Sequence, residues 1–238
     1  MIIYGWNPIR EAIRSNPDRV RYLAVVRGVK GRTGQLVANA REAGIAVRLV
    51  SKNEIDRMAP SRAVHNGVVA EVSDKGYSRL EDLLASGEAE VVFVLDGIRD
   101  PQNLGAILRV ADAFAVDFVV IPRHDSAGLG PTAIKASAGA AEWVDVAQVT
   151  NVSRALEALK EAGFWVWGAD LEGSPLGSLD ASGKIAVVLG SEGSGIRQNV
   201  RRHCDGTFSI PMTGHVDSLN VASSASIIAW EIRRRRTG

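Results

Sequence analysis

The chain has 238 residues, of which 46% are hydrophobic and 23% are charged, and its net charge is +1. These proportions are typical of globular proteins, so a disordered, collagen-like or coiled-coil chain is excluded. The length exceeds what one minimal domain needs and suits two small ones, since domains usually have about 100–200 residues.

The first part of the chain alternates between helical and strand-like segments. Its apolar pattern predicts a helix at 8–14, a strand at 20–26, a helix at 35–43 and strands at 46–50 and 67–72. A basic loop lies between the first strand and the second helix, and it combines Arg27, Lys30 and Arg32 with Gly28, Gly31 and Gly34. We therefore predict a small α/β module at residues 1–72, followed by a linker at 73–88.

Charge is distributed unevenly between this module and the remainder. Residues 1–72 carry a net charge of +6, and the remaining residues carry −5. A basic module of this kind is typical of nucleic-acid binding, although a solvated basic surface explains the charge equally well. The glycine-rich basic loop has the same two interpretations.

The second part, residues 89–238, repeats a strand-then-helix rhythm. The pattern predicts strands at 91–95, 118–121, 164–167, 185–189 and 208–210, and helices at 104–114, 152–162 and 219–234. Continuously apolar strands that alternate with helices indicate a parallel sheet covered on both faces. None of these stretches approaches the roughly 20 apolar residues that span a membrane, so we expect a soluble protein.

In an open parallel sheet, ligands bind beyond the carboxyl ends of the strands. The loop after the first of these strands reads Asp-Gly-Ile-Arg-Asp-Pro-Gln-Asn-Leu-Gly at 96–105 and leads into a helix. Asn103 and Arg109 are nearly two helical turns apart, and we expect both to face roughly one side. A helix cap and a surface arginine are the alternative interpretation of this pair.

A second loop, Gly-Ser-Glu-Gly-Ser-Gly at 190–195, follows the strand at 185–189. Its glycines allow the backbone to approach a ligand closely, but its spacing matches neither the dinucleotide nor the P-loop motif. A tight turn is the simpler explanation. Glu192 counts against that explanation, because a turn requires no carboxylate there.

A third loop, at 210–222, leads into the last helix. Ser218 and Asn220 offer a hydroxyl and an amide at the helix start, where backbone N–H groups favour an anion such as phosphate. They could equally be ordinary N-terminal caps.

Several other chemistries are not supported. His203, Cys204 and His215 lack the paired short spacings of a zinc site, so we predict no metal. A Ser–His–Asp hydrolase would need a G-x-S-x-G elbow, which the chain lacks. We assign the tryptophans of strand-like segments, Trp143, Trp165 and Trp167, to the core or an interface rather than to base stacking.

The cysteine content bears on the cellular compartment. One cysteine cannot form an internal disulfide, and the N-terminus has no secretory leader pattern. We therefore expect a cytoplasmic protein.

Taken together, the three loops resemble, in order and spacing, the signature motifs of the SpoU family of RNA 2′-O-ribose methyltransferases. The resemblance rests on 96–105 with Arg109, on 189–195 and on 210–222, and it covers roughly residues 89–238. The first part opens with Ile3-Tyr4-Gly5 and closes with His65-Asn66-Gly67-Val68-Val69-Ala70. It is similar to the ribosomal-protein-like α/β substrate-binding domain of the large-subunit rRNA branch of that family.

The resemblance implies a mostly parallel α/β methyltransferase domain tied into a deep trefoil knot, although chains rarely thread loops. It also implies that S-adenosylmethionine binds in the knot, with Gly190, Ile210 and Leu219 at the cofactor-contacting positions. Family members are homodimers with sites at the interface, which makes the final helix with Trp230 a candidate interface element.

The implied activity is methyl transfer to the ribose 2′-hydroxyl of a nucleotide, a guanosine, in 23S rRNA. The functional set that carries over by motif is Asn103, Arg109, Glu192, Ser218 and Asn220. A guanidinium stays protonated in proteins and is a poor base, so we expect Arg109 to orient the phosphate and the hydroxyl. Ser218 would support the phosphate, and the other three would hold Arg109 and the knot loops.

Two alternatives within this framework remain open. A tRNA ribose 2′-O-methyltransferase uses the same cofactor, but the minimal tRNA type lacks the basic N-terminal module. A non-catalytic RNA-binding ribosome-assembly protein could use the same scaffold, but it would have no need of Asn103, Arg109, Glu192 and Asn220 together. A generic nucleotide-binding oxidoreductase is disfavoured by the missing G-x-G-x-x-G motif.

Overall fold

The computed structural model of the protein describes residues 1–28, 31–61 and 63–237, and within them the strands form two sheets. The strands of the first sheet are β1 (Ile2–Tyr4), β2 (Val20–Val26), β3 (Ala46–Val50) and β4 (Val68–Val72). Their spatial order is β1-β4-β2-β3, in which β4 is antiparallel to both neighbours and β2 is parallel to β3. The predicted α/β character of the first part is confirmed.

Three helices accompany this sheet: α1 (Trp6–Ser15), α2 (Arg32–Glu42) and α3 (Lys52–Met58). The third begins with a capping box, in which Ser51 Oγ accepts from the Glu54 N–H and Glu54 Oε2 accepts from the Ser51 N–H at 2.7 Å. The hydrogen bonds with Ser51 lower the pKa of Glu54.

The basic loop is shorter than the sequence predicts. Helix α2 begins at Arg32 rather than 35, so Gly34 lies inside the helix. Gly31 precedes it with a φ of +71°, a conformation that favours glycine. Lys30, the other predicted cation of the loop, lies outside the described residues.

The strands of the second sheet are β5 (Val91–Asp96), β6 (Phe118–Pro122), β7 (Asp145–Val149), β8 (Trp165–Pro175), β9 (Ile185–Gly190) and β10 (Gly206–Ser209). Their order is β10-β8-β9-β5-β6-β7, and each neighbouring pair is parallel. The helices of this part are α4 (Leu80–Ala85), α5 (Pro101–Ala113), α6 (Pro131–Ala136), α7 (Val152–Glu161), α8 (Gln198–Arg201) and α9 (Val221–Thr237). The predicted parallel sheet is thus confirmed, while the knot remains an implication of the family resemblance.

Both faces of the parallel sheet are buried. Successive residues of β5 alternate between two cores, with Phe93 and Leu95 on one face and Val92 and Val94 on the other. The core that contains Phe93 continues into the N-terminal module, where it includes Ile9. The two sheets therefore share one continuous apolar core.

The pairing of β8 with β10 is interrupted. Thr207 pairs with Gly168, but the next residue, Phe208, pairs with Ser174, so residues 169–173 leave the ladder. Gly173 returns so close to the Phe208 backbone that a Cβ there would overlap it. The interruption opens a hollow between the displaced residues and β10.

The segment 73–88, expected to be a linker, makes specific contacts. Lys75 Nζ donates to the carbonyl oxygens of Ala141, Glu142 and Val144 at 2.9–3.0 Å, and its burial lowers its pKa. The Ser78 N–H donates to the Val146 carbonyl at 3.0 Å. These contacts attach the segment to the second sheet, and the domain boundaries themselves stay a prediction.

Candidate active site

Helix α5, which follows the first strand of the parallel sheet, starts earlier than the sequence predicts. Asp100 accepts from the Gln102 N–H at 2.9 Å, and Pro101 occupies the first helical position. Helix α5 therefore begins at Pro101 rather than 104. This early start places Asn103 in the first turn, at the carboxyl edge of the sheet.

Asn103, Glu192 and Asn220 form a hydrogen-bonded ring that joins the three predicted loops. Glu192 Oε1 accepts from Asn103 Nδ2 at 3.0 Å and from Asn220 Nδ2 at 2.6 Å. Asn220 Nδ2 also donates to Asn103 Oδ1 at 3.0 Å. The ring therefore joins the three loops through side-chain contacts.

Asn220 also starts the last helix. Its Oδ1 accepts from the backbone N–H of Ala222 at 2.9 Å and of Ser223 at 3.4 Å. The capping interpretation of Asn220 is therefore correct, but it is incomplete, because the amide nitrogen binds the ring at the same time.

The glycine-rich loop closes tightly on itself. The backbones of Ser191 and Gly195 exchange hydrogen bonds of 2.9 and 3.1 Å. A Cβ on Gly190 would overlap the backbone of Gly195 and Ile196. Gly190 is therefore required by the close approach of the loop, and this closure holds Glu192 at the sheet edge.

Asp96 is a structural residue of this edge that the sequence analysis did not single out. It is only 1% exposed, and it accepts from the Arg197 N–H and from Arg197 Nε, both at 2.8 Å. The hydrogen bond with Asp96 raises the pKa of Arg197. The sequence does contain a signal for this residue, which is a carboxylate at the end of an otherwise apolar strand. A buried charge at such a position needs a partner.

A cavity of about 420 Å³ lies beside the ring, in the hollow opened by the displaced part of β8. Ile210, Ser218 and Leu219 line it from the third loop, and Gly193 and Gly195 line it from the second. The displaced residues Ala169, Asp170, Leu171 and Glu172 form another wall. Gly190 is not among the lining residues and shapes the cavity through its loop.

A polar hollow of about 400 Å³ lies next to this cavity. Asn103 and Glu192 line the hollow, together with Arg99 and Asp100. Ser194 lines both spaces. The ring thus lies where a cofactor-sized cavity and a polar hollow adjoin.

Arg109 does not join this arrangement. Its exposed side chain lines a separate cleft of about 450 Å³ between α5 and α1. The expectation that Asn103 and Arg109 share one side is wrong, because six residues at about 100° each leave them roughly 120° apart around the helix. Asn103, Glu192 and Asn220 hold one another, and the expected contact with Arg109 is not formed.

Two of the three tryptophans are not core residues, and their assignment to an interface stays a prediction. Trp143 and Trp165 are 50% and 62% exposed, so neither is a core residue, whereas Trp167 is half-buried. Trp143 follows a short 3-10 turn at Ala140–Glu142 rather than lying in a strand.

Across residues 1–28, 31–61 and 63–237, no group of three or more His, Cys, Asp or Glu side chains is placed to hold a metal ion. Within the same ranges, no helix has both the length and the apolar character needed to cross a bilayer.

Two family models match the chain. The model of the SpoU rRNA methylase family matches residues 90–230, and a model described as RNA 2′-O ribose methyltransferase substrate binding matches residues 2–78.

Curated relatives match over nearly the whole chain. YacO of Bacillus subtilis (strain 168), assigned to the TrmH family of tRNA/rRNA methyltransferases, is 36% identical and aligns with 98% of this chain and 95% of its own length. An uncharacterized tRNA/rRNA methyltransferase of Mycolicibacterium smegmatis is 39% identical, over 99% of this chain and 76% of its own.

Solved structures share the architecture. The SpoU methyltransferase AviRb from Streptomyces viridochromogenes, in complex with AdoMet, superposes with a TM-score of 0.84 at 25% identity, covering 100% of this chain and 91% of that one. The TrmH/SpoU tRNA modifying enzyme of A. aeolicus gives a TM-score of 0.56 at 26% identity and covers 66% of this chain and 82% of its own.

Proposed function

Because this chain belongs to the SpoU family of RNA methyltransferases, we propose that it transfers a methyl group from S-adenosylmethionine to the 2′-hydroxyl of a guanosine ribose in large-subunit (23S) rRNA. The family resemblance, the class of enzyme and the cofactor inferred from the sequence are confirmed by the matched models and by the AdoMet-bound neighbour. The choice of rRNA and of guanosine is the proposal.

The observation that carries the proposal is the ring of Asn103, Glu192 and Asn220 beside the cavity of about 420 Å³. S-adenosylmethionine has an apolar adenine face and two positively charged groups, the ammonium and the sulfonium. The cavity offers apolar side chains at Ile210 and Leu219. Its charged lining is Asp170, Glu172 and Arg201, in which Arg201 pairs with both carboxylates, so it presents charges of both signs to the ammonium, sulfonium and carboxylate of the cofactor. The residues present therefore fit the cofactor, with Gly190 acting through the loop it permits.

When bound, S-adenosylmethionine supplies an activated methyl group that leaves its sulfur for an oxygen nucleophile. The products would be S-adenosylhomocysteine and the methylated ribose, and the hydroxyl proton would pass to water or to a neighbouring RNA phosphate. The remaining task of the protein is to hold the ribose hydroxyl in line with the methyl group. We assign the orienting role to Arg109 and phosphate support to Ser218. Asn103, Glu192 and Asn220 would keep the loops around the cofactor in place.

The position of Arg109 supports a homodimer. Within one chain Arg109 and the cofactor cavity lie in different spaces, so a second copy would complete the site. Helix α9 presents Ile227 and Trp230 to solvent, and Trp230 is 52% exposed. An apolar helix face of this kind suits burial against another copy.

The basic module favours rRNA over tRNA as the substrate. The tRNA modifying enzyme of A. aeolicus covers only 66% of this chain, whereas relatives named for both tRNA and rRNA cover nearly all of it. Action on tRNA and a non-catalytic role in ribosome assembly are the alternative functions. We place the protein in the cytoplasm, where a lone cysteine stays reduced.

The test is methyl transfer from labelled S-adenosylmethionine to deproteinised rRNA and, separately, to tRNA from cells that lack the protein, followed by nucleoside analysis. Labelled 2′-O-methylguanosine in large-subunit RNA supports the proposal, and label in tRNA alone moves the assignment to tRNA. If neither is labelled, the assay is repeated on immature ribosomal particles, and failure there leaves the non-catalytic role.

A further inference from the structure

The cleft that contains Arg109 is formed by both halves of the molecule. Arg10 and Arg14 line it from α1, Arg109 from α5 and Trp143 from the turn before β7. Its volume of about 450 Å³ is separate from the cofactor cavity. The cleft is therefore a second candidate binding site.

Glu11 contacts several of the side chains that line this cleft. The residue is only 6% exposed, yet its carboxylate accepts from Arg10 Nε at 2.5 Å, from Arg14 Nη1 at 3.3 Å and from Trp143 Nε1 at 3.1 Å. A buried carboxylate is stable only with such partners. Glu11 thus holds cleft residues from both halves in fixed positions.

The turn before Trp143 is built to admit Glu11. Gly139 has a φ of +107°, and a Cβ at this position would overlap Glu11 Cγ. Only glycine combines that backbone conformation with the space that the glutamate needs. The contact between the halves is therefore a specific feature of the chain.

The cleft has the chemistry of a single-stranded RNA site. Guanidinium groups bind phosphate oxygens in paired hydrogen bonds, and a half-exposed indole offers a face on which a base can stack. Within the described part of the chain, Arg109 has no hydrogen-bond or ion-pair partner, so its guanidinium is available. Glu11 and Asp112 are the acidic residues that line the cleft.

We propose that this cleft binds the ribose–phosphate strand of RNA next to the target nucleotide, with Arg10 and Arg14 on phosphates and Trp143 under a base. Glu11 is a positioning residue that acts through Arg14 and Trp143. This inference rests on the proposed function and names where its RNA substrate lies. It also explains how Arg109 can be close to a phosphate while remaining outside the cofactor cavity.

The experiment measures binding of a 23S rRNA transcript to full-length R14A and W143A across a salt series. We expect each to weaken binding about tenfold, since stacking of a base and a phosphate contact are each of that order. The slope of log Kd against log salt should fall by about one for R14A and stay unchanged for W143A. S-adenosylmethionine affinity, measured by calorimetry, should not change in either variant.

The matched control is R154A, which removes an exposed arginine of α7 outside both the cleft and the basic module. It should bind the transcript like the wild type. The cleft proposal is overturned if R14A and W143A also bind like the wild type. That result would leave the proposed function intact, whereas weakened binding in a protein that transfers no methyl group would support the cleft and contradict the function.

The positioning role of Glu11 is tested by a double-mutant cycle of E11Q and R14A, read as transcript affinity. If Glu11 acts through Arg14, the effect of the pair should be clearly less than the sum of the single effects. Additive effects, or an E11Q protein with wild-type affinity and salt slope, would contradict that role.

Discussion

Asn220 Nδ2 lies 2.6 Å from Glu192 Oε1 and thereby attaches the start of the last helix to the glycine-rich loop. The same nitrogen reaches Asn103 Oδ1, so one side chain connects all three loops at the sheet edge.

Replacing Asn220 with alanine should lower both stability and methyl transfer. The N220A protein loses the helix cap and two ring contacts, and an N-cap alone contributes roughly 1 kcal/mol. We expect the free energy of unfolding in urea to fall by about 1–2 kcal/mol, and the turnover number to fall by about tenfold or more. The control is N199A, whose side chain lies in the short helix α8 outside the ring, and equal losses in both variants would argue against the ring.

Replacing Gly190 with alanine should weaken cofactor binding. The added methyl group would overlap the backbone of Gly195, so the loop must move away from the cavity. We expect S-adenosylmethionine affinity to fall at least tenfold by calorimetry.

Gly34 provides the control for that experiment. It lies inside α2 with open space around it, so G34A should leave cofactor affinity unchanged. It should also raise the free energy of unfolding by about 0.5–1 kcal/mol, because alanine favours helix more than glycine does. Unchanged cofactor affinity in G190A would contradict the close approach of the loop.

Replacing Arg109 with alanine should separate catalysis from cofactor binding. Arg109 lies outside the cofactor cavity, so S-adenosylmethionine affinity should be unchanged. The turnover number should fall by about 100-fold or more, as expected when a group that orients charge in the transition state is lost. Near-normal turnover with retained RNA binding would remove Arg109 from the functional set.

The ion pair between Arg19 and Glu142 should be important for the contact between the two halves. Arg19 Nη1 lies 2.5 Å from Glu142 Oε2, and the glutamate side chain is only 2% exposed. R19A would leave that carboxylate buried without its main partner, and we expect a loss of about 3–5 kcal/mol in chemical denaturation. R21A, which breaks an exposed pair with Glu71, should cost under about 1 kcal/mol, and similar losses in both variants would contradict the argument.

Cys204 should react slowly with thiol reagents in the folded protein. Burial raises the pKa of its thiol to about 11, so the reactive thiolate is scarce at pH 8. Because the folded pKa lies above the ordinary value, this thiol contributes stability below about pH 9, and that contribution is lost as the pH rises toward 11. The rate of reaction with a disulfide reagent, native against urea-unfolded, checks this, and equal rates would contradict it.

The sequence predicts those elements whose pattern is determined locally. The apolar runs that begin at Val91 and Ile185 are found as strands β5 and β9 at the predicted starting residues, because their side chains are buried on both faces. The apolar pattern of the sequence does not predict the short helices α3, α4, α6 and α8, because four to seven residues are too few to show a helical period.

The candidate site shows the same division. The meeting of three loops could be predicted, since parallel strands end at one edge of a sheet. The angle between Asn103 and Arg109 around α5 follows from their spacing and could be predicted. The cleft that Arg109 lines could not be predicted, because it depends on how α1 packs against the turn at Ala140–Glu142. The ion-pair partner of Asp96 could not be predicted either, because Arg197 lies 101 positions away in the chain and only the tertiary fold brings the two together.

The ring also bears on how the protein folds. Asn103 and Asn220 are 117 positions apart, and Asn103 and Glu192 are 89 apart. Closing such long loops costs entropy that only a nearly complete sheet can offset, so we expect the ring to form late in folding. S-adenosylmethionine would then bind only the completely folded protein and would slow its unfolding. In a refolding time course, cofactor binding should therefore appear after the secondary structure has formed.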